Sequence, residues 1–465
     1  MVRPQLQLEE SQLLRFAAPV PNLTASAMPF MPLQRPSHQR PPGSAITRRG
    51  FGLLSAGAAL CPSVASASRP EALNTYDQLF DGGRYLPHYL ELQRQAEAGD
   101  EAVMQDIAQF AAIVGDEDAA LRYAGAQPMR RSEARPLDEL EIADAIGAIV
   151  AAAASAQIVI LNEAHHVSAH RAFAGRVAEA LAQQGFTAFA AEAFGTATID
   201  TVQSVRSHRP GAPLTMKAGY YVLDPVFAET ARRASRAGLA LVDYEQRWDQ
   251  RSEDPSFDVQ AAARELSQAQ NLVDAVLKRD PKARIFVYCG YDHVTEAEGP
   301  GGLWFAGRLK ALTGIDPLTI EQSQNWPRLN PEDDPPHIRS VLAAEPKAPV
   351  AVRLRSGQPY TAGFYTGRVD MTVFHPRYAK ADGRPGWLAA DTARRRTPIT
   401  LDAADTVRLV QAFHVSEGWG SLPADQALVD PGASDTVLFL PPGEYVVRAE
   451  TPDAAAAVGK ITVTT

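Results

Sequence analysis

Between residues 137 and 335 the chain changes rhythm at regular intervals. Short runs in which nearly every residue is apolar (Ile158–Leu161, Thr187–Ala191, Leu239–Val242, Ile285–Cys289 and Leu318–Ile320) alternate with longer stretches whose apolar residues recur every three or four positions. The first kind predicts strands and the second predicts helices, here over Asp138–Ala154, Arg171–Gln184, Pro225–Ala237, Val259–Arg279 and Trp304–Leu312. Gly185, Gly238, Asp280-Pro281 and Thr313-Gly314 stand where those helices should stop. Strands that are apolar throughout are buried on both faces. The alternation therefore predicts an α/β fold, a parallel-rich sheet flanked by helices.

Different patterns lie on either side. Leu86–Glu97 and Glu101–Val114 carry helical spacing around the break Ala98-Gly99-Asp100, and a short helix should open near Gly115-Asp-Glu-Asp118 and end at Gly125. Residues 68–136 thus read as a small helical region and linker. After Pro335 the runs Val350–Arg355, Met371–Phe374, Val407–Phe413, Thr436–Leu440, Tyr445–Ala449 and Lys460–Thr464 are separated by Gly/Pro turns. They predict a C-terminal mostly β domain over residues 345–465, a sandwich-like accessory to the α/β domain at 137–335.

Residues 1–67 read as an export signal. Arg48-Arg49 precede the apolar run Phe51–Leu60, too short to span a bilayer, and Ala65-Ser66-Ala67 supplies small residues of the cleavage type. The expectation is twin-arginine export to the periplasm or beyond. Cleavage after Ala67 would leave Cys289 as the one cysteine, so no internal disulfide is expected. No later stretch supplies about twenty apolar residues, which predicts no integral membrane span in the mature form. The net charge of −9 over 465 residues has no basic footprint and argues against nucleic acid as a partner.

The chemistry gathers at strand ends. Three of the ten histidines and a carboxylate (Glu163, His165, His166 and His170) follow the run Ile158–Leu161. Glu192 follows Phe189-Ala-Ala191, Asp243 and Glu245 follow Leu239–Val242, and Gly290-Tyr-Asp-His293 follows Ile285–Cys289. In a parallel sheet these ends share one edge, where α/β proteins place their sites. Imidazole and carboxylate together suit a divalent metal such as Zn, Mn, Fe or Co, and equally suit metal-free acid/base work on water. Glu192 is the most telling, because a carboxylate at the end of a buried strand is costly unless its charge is used. Adjacent His165 and His166 point in different directions, so one of them should enter the site.

The order Asn162-Glu-Ala-His165, His170-Arg171, Phe189-Ala-Ala-Glu192, Arg264-Glu-Leu-Ser-Gln-Ala-Gln-Asn271 and Gly290-Tyr-Asp-His293 resembles the ChaN/Tiki/erythromycin esterase superfamily, from Ile158 to Glu321. The resemblance implies a site of Glu163, His165, Glu192 and His293, acting as catalytic groups or metal ligands, with Arg264 and Gln268 on a supporting helix. His166, Arg171, Asp243 and Glu245 are further supporting candidates. The sequence has Asn162 where the family has glycine. What the resemblance implies is divided among metal-dependent proteolysis, metal-free lactone hydrolysis and haem binding.

The leading expectation is an exported hydrolase that activates water to cleave an ester, lactone or peptide bond in a small-molecule or peptide substrate. The alternative is a haem- or iron-cofactor-binding protein with a histidine ligand, for which His170 and Tyr291 are added candidates and Tyr220 and Tyr221 are nearby aromatics. A third is a cell-wall or carbohydrate interaction protein that contacts the envelope through its β domain.

Overall fold

The computed structural model describes residues 75–465 except 76–77, 81, 126–132, 196–204, 207 and 300. The twin-arginine segment and Cys61 lie outside the described residues, and no described helix is long and apolar enough to cross a membrane. The N-terminal region holds α1 (Tyr85–Glu97), α2 (Met104–Ile113) and α3 (Glu117–Ala124). The α/β part then runs β1 (Leu140–Asp144), α4 (Ala145–Ala153), β2 (Ile158–Glu163), α5 (Ser168–Gln183), β3 (Ala188–Ala191), α6 (Pro225–Arg236), β4 (Ala240–Asp243), α7 (Phe257–Leu272) and β5 (Ile285–Gly290). A two-residue hairpin, β6 (Glu298–Gly299) and β7 (Gly302–Leu303), leads to α8 (Phe305–Thr313) and β8 (Leu318–Glu321). Next come α9 (Pro336–Leu342), β9 (Val350–Leu354) and β10 (Met371–Phe374).

These strands build one eight-stranded sheet in the order β1-β9-β10-β8-β2-β5-β3-β4. The six from β10 to β4 pair in parallel, and β9 and β1 extend the other side antiparallel. The expected parallel-rich, helix-flanked sheet is present. Successive residues of a strand point to opposite faces, and both faces are covered. Val159, Leu161, Phe189, Phe286 and Tyr288 pack with Phe173, Val177 and Phe227 of α5 and α6. Ile158, Ile160, Ala190, Val287 and Cys289 pack with Leu272 of α7 and Phe305 and Leu309 of α8.

Two expectations need correction. Asp138–Ala154 is not one helix: Leu140–Asp144 is the edge strand β1, and α4 begins only at Ala145, where the Asp144 carboxylate accepts from Gly147 N at 2.7 Å. The strand is concealed because Leu140-Glu-Ile-Ala-Asp144 runs into the alanine-rich helix with no glycine or proline between them. Val350–Leu354 and Met371–Phe374 belong to the large sheet, so the separate β region begins near residue 395 rather than 345. An apolar pattern marks a strand without saying which sheet it joins.

That β region follows a short helix, α10 (Gly386–Ala390), and contains β11 (Arg395–Thr400), β12 (Arg408–His414), β13 (Asp425–Val429), β14 (Asp435–Leu440), β15 (Gly443–Glu450) and β16 (Ala455–Val463). The sheets β13-β12-β15-β16 and β11-β14 close on one core that includes Ile399, Val410, Leu438, Tyr445 and Val447. It is tied to the N-terminal helices: Glu450, fully buried, accepts from the backbone N–H of Tyr85 and Leu86 at the start of α1 and from Arg84 Nε at 2.9 Å.

Candidate active site

β5 enters the sheet between β2 and β3, although it follows both in the chain. This insertion assembles the site. Register places Gly290 beside Glu163 on one side, and Ala191 beside Tyr288 on the other, so Glu192 follows one step further along the edge. Gly290 has to lack a side chain: a Cβ there would stand 2.5 Å from His165 Nε2 and 3.2 Å from a Glu192 oxygen. His165 and Glu192, 27 positions apart in the sequence, therefore face the same point above β5.

His165 is fixed from behind. Its Nδ1 lies 2.7 Å from Glu163 Oε1, and both residues are buried. The Arg171 guanidinium, one turn into α5, donates from Nε and Nη2 to Glu163 at 3.0 and 2.9 Å, and from Nη1 to Asp224 at 2.8 Å. Ser168 Oγ donates to the same Asp224 oxygen at 2.6 Å. Burial would raise the Glu163 pKa, but Arg171 and His165 outweigh it and hold the group at about 2. Glu163 is thus a carboxylate, and His165 turns its Nδ1–H towards it, leaving Nε2 as an acceptor.

The opposite wall comes from α7. Arg264 donates to Glu192 Oε1 at 2.7 Å and to Glu245 at 2.6 and 3.0 Å, while Gln268, one turn on, holds Glu245 at 2.9 Å. Gly290 N–H donates to Glu192 Oε2 at 2.5 Å. Burial works against ionising Glu192, yet His293, Arg264 and His165 together keep it well below the usual carboxylate range. His293 Nδ1 lies 2.9 Å from Glu265, and its Nε2 lies 3.7 Å from Glu192 and 3.1 Å from Arg264 Nη1. Burial lowers the His293 pKa, but Glu265 and Glu192 outweigh it and raise the group to about 9. The Arg264 contact suits a neutral ring and the two carboxylates suit the cation. The carboxylates prevail, because both lie within 4 Å.

The remaining sequence candidates have other roles. His166 turns away from the site to pack on Trp326, with Tyr291 Oη 3.5 Å from its Nδ1. His170 is fully buried; its Nδ1 accepts from Ala164 N at 3.1 Å, which shapes the turn after β2, and its ring packs on His375. Asp243 pairs with Arg206 at 2.5 Å, outside the cluster. Asn162, where glycine was the family pattern, fastens the strand end by accepting from Gln322 N at 2.8 Å and donating to Tyr291 O at 2.9 Å. Tyr291, at φ 39, stands edge-on to His165, while Tyr221 stacks on it with centroids 4.1 Å apart. The Tyr221 loop is clipped down at Gly219 (φ 139), where a Cβ would collide with Ala193 O. Sequence reading missed Glu265 and Asp224. Their signals were slight: Glu265 is the neighbour of Arg264 on α7, and Asp224 precedes a proline.

The donor set does not fit a divalent metal. Glu163 and Glu192 spend their oxygens on guanidinium groups, His165 and backbone N–H, and Arg171 and Arg264 put cations where a metal's charge would stand. Among the described residues no group of three or more ligating side chains is arranged to hold an ion. A porphyrin fits no better at His165, whose ring is enclosed by Tyr221, Tyr291 and the Gly290 backbone.

No protein-family model and no curated protein matches this chain. Solved structures share a weak likeness. The type III effector HopBA1 is 14% identical over 42% of this chain and 86% of its own, with a TM-score of 0.28. RRSP, a MARTX toxin effector domain from Vibrio vulnificus CMCP6, is 16% identical over 36% of this chain and 34% of its own, with a TM-score of 0.29. A structure of bacterial protein toxins is 14% identical over 52% of this chain and 41% of its own, with a TM-score of 0.26. At these scores the likeness carries no functional weight, and the site must be judged on its own geometry.

Proposed function

We propose that this chain is an exported, metal-free hydrolase of the ChaN/Tiki/erythromycin esterase type, cleaving an ester, lactone or peptide bond. The observation that carries the reading is the oriented imidazole: Glu163 fixes the Nδ1–H of His165 at 2.7 Å, and Arg171 keeps Glu163 charged. His165 Nε2 then takes the proton of a water as that water attacks the scissile carbonyl. His293, held as a cation by Glu265 and Glu192, gives its Nε2 proton to the departing oxygen or nitrogen. Arg264, with a side chain 29% exposed at the mouth, supplies the charge that stabilises the tetrahedral oxyanion. Export is supported by the twin-arginine pattern at Arg48-Arg49.

The test is turnover of a panel of aryl esters, macrocyclic and simple lactones and peptides by protein treated with a chelator. The expected result is hydrolysis of one class, unchanged by chelation and reduced at least about a hundredfold by His165→Asn. Activity that vanishes on chelation and returns with added metal would overturn the metal-free reading. No turnover of any class would overturn the hydrolase reading.

A further inference from the structure

The segment after β4 carries a feature that the proposed reaction does not use. Arg251 lies with its guanidinium carbon 3.6 Å from the centre of the Trp248 ring. Both residues are exposed, the tryptophan by 38%. A guanidinium stacked on an aromatic ring has its planar fork held in one orientation, and that fork matches a carboxylate bidentately. Among the described residues no carboxylate or carbonyl accepts from the Arg251 side chain.

The pair is built into place. Buried Asn271 of α7 exchanges amide hydrogen bonds with Gln250 at 2.7 and 2.9 Å and donates to Glu245 O at 2.9 Å. Gln250 in turn accepts from Arg247 N at 2.9 Å, closing the turn that presents Trp248. On the next residue, Ser252 O accepts from Gln260 at 2.7 Å. Gln260 is one helical turn from Arg264 on the same face of α7, and Arg264 touches Glu192. Arg251 is therefore anchored beside the mouth of the site, on the α7 side. Its charge environment agrees: burial lowers its pKa, Glu245 raises it and Arg264 lowers it.

We propose that Arg251 and Trp248 form a carboxylate-binding subsite, and that the substrates of this hydrolase carry a carboxylate on the arm that leaves the site over α7. This rests on the reading of the site as a hydrolase. A carboxylate matches the guanidinium fork with two parallel hydrogen bonds while its plane continues the stack.

The test uses two probes, monobenzyl succinate and its neutral methyl ester, with full-length protein carrying His165→Asn so that turnover of either is suppressed. Calorimetric titration should give at least about tenfold tighter binding of the anion, the size of one charge-assisted contact. Arg251→Gln should bring the ratio to about one, and Arg251→Lys should restore only part of it, because an ammonium lacks the fork. A ratio near one with Arg251 present, a ratio untouched by Arg251→Gln, or no binding of either probe at about 10 mM (a binding energy under about 3 kcal/mol) would overturn the proposal. Arg251-dependent anion binding in a protein whose wild type hydrolyses neither ester would leave the subsite standing and remove the reaction assigned to it.

Discussion

Gly290 and His165 are matched so closely that the first cannot acquire a methyl group without displacing the second: the Cβ would stand 2.5 Å from His165 Nε2 and closer still to Cε1. The glycine is required by this approach and not by its backbone, whose φ of −86 any residue adopts.

Gly290→Ala should therefore act on the imidazole first. The expected outcome is a folded protein, less stable by about 1–3 kcal/mol as for an overpacked site, whose kcat falls at least about tenfold because His165 has left its position. Thermal unfolding beside steady-state kinetics checks both halves. Full activity in the alanine variant would mean that His165 does not work from this position.

The pH dependence follows from two groups displaced in opposite directions. Glu163 at about 2 lies below its ordinary 4.5, so its contribution to stability is present above 4.5 and disappears as pH falls towards 2. His293 at about 9 lies above its ordinary 6.5, so its contribution is complete below 6.5 and disappears as pH rises through 9. Thermal unfolding from pH 2 to 10 should show a plateau between these flanks. If His293 is the general acid, kcat should fall above about pH 9. Glu265→Gln removes the nearest carboxylate and should pull that fall towards 6.5. An alkaline limb that does not move would separate Glu265 from the proton on His293.

Arg171 is fully buried between Glu163 and Asp224. Replacing it with Leu strands two carboxylates and should cost about 3–5 kcal/mol in urea unfolding at pH 7. The loss should shrink as pH falls and the stranded groups take up protons. A cost that is constant with pH would point to lost packing instead of unpaired charge.

Changing Arg48 and Arg49 together to Lys should leave an unprocessed precursor in the cytoplasm, whereas the unaltered chain should be trimmed near Ser68. Fractionation and N-terminal sequencing give the answer. Normal export of the double variant would reject the twin-arginine route.

The strands that frame the candidate site were legible in the sequence because β2, β3 and β5 are buried on both faces, and a short unbroken apolar run between turn residues fits a buried strand better than a helix. That Glu163, His165, Glu192 and His293 gather at one sheet edge was legible for a related reason, since polar groups stand out at the ends of such runs. Spacing alone left open which of the adjacent His165 and His166 enters the site, because it does not reveal which way a loop side chain turns. Asp224 and Glu265 act through partners 53 and 28 positions away, respectively. A carboxylate whose partner is distant in the chain looks like any other surface acid until the fold brings the two together. β1 and β9 were misread for the same reason, since their pairing spans about two hundred residues.

Glu450 lends its carboxylate to the first turn of α1, more than 360 positions earlier. The consequence concerns the order of events during synthesis. While the ribosome is still making β15, the start of α1 has no acceptor for its N–H groups, and Arg84 has no partner. α1 emerges early, and its first turn is completed late. A chain that stops short of residue 450 should lose order at its opposite end, where α1 would become the first segment open to a protease. Closure of this contact fastens α1 to β15, leaving β16 still to pair along that strand's other edge.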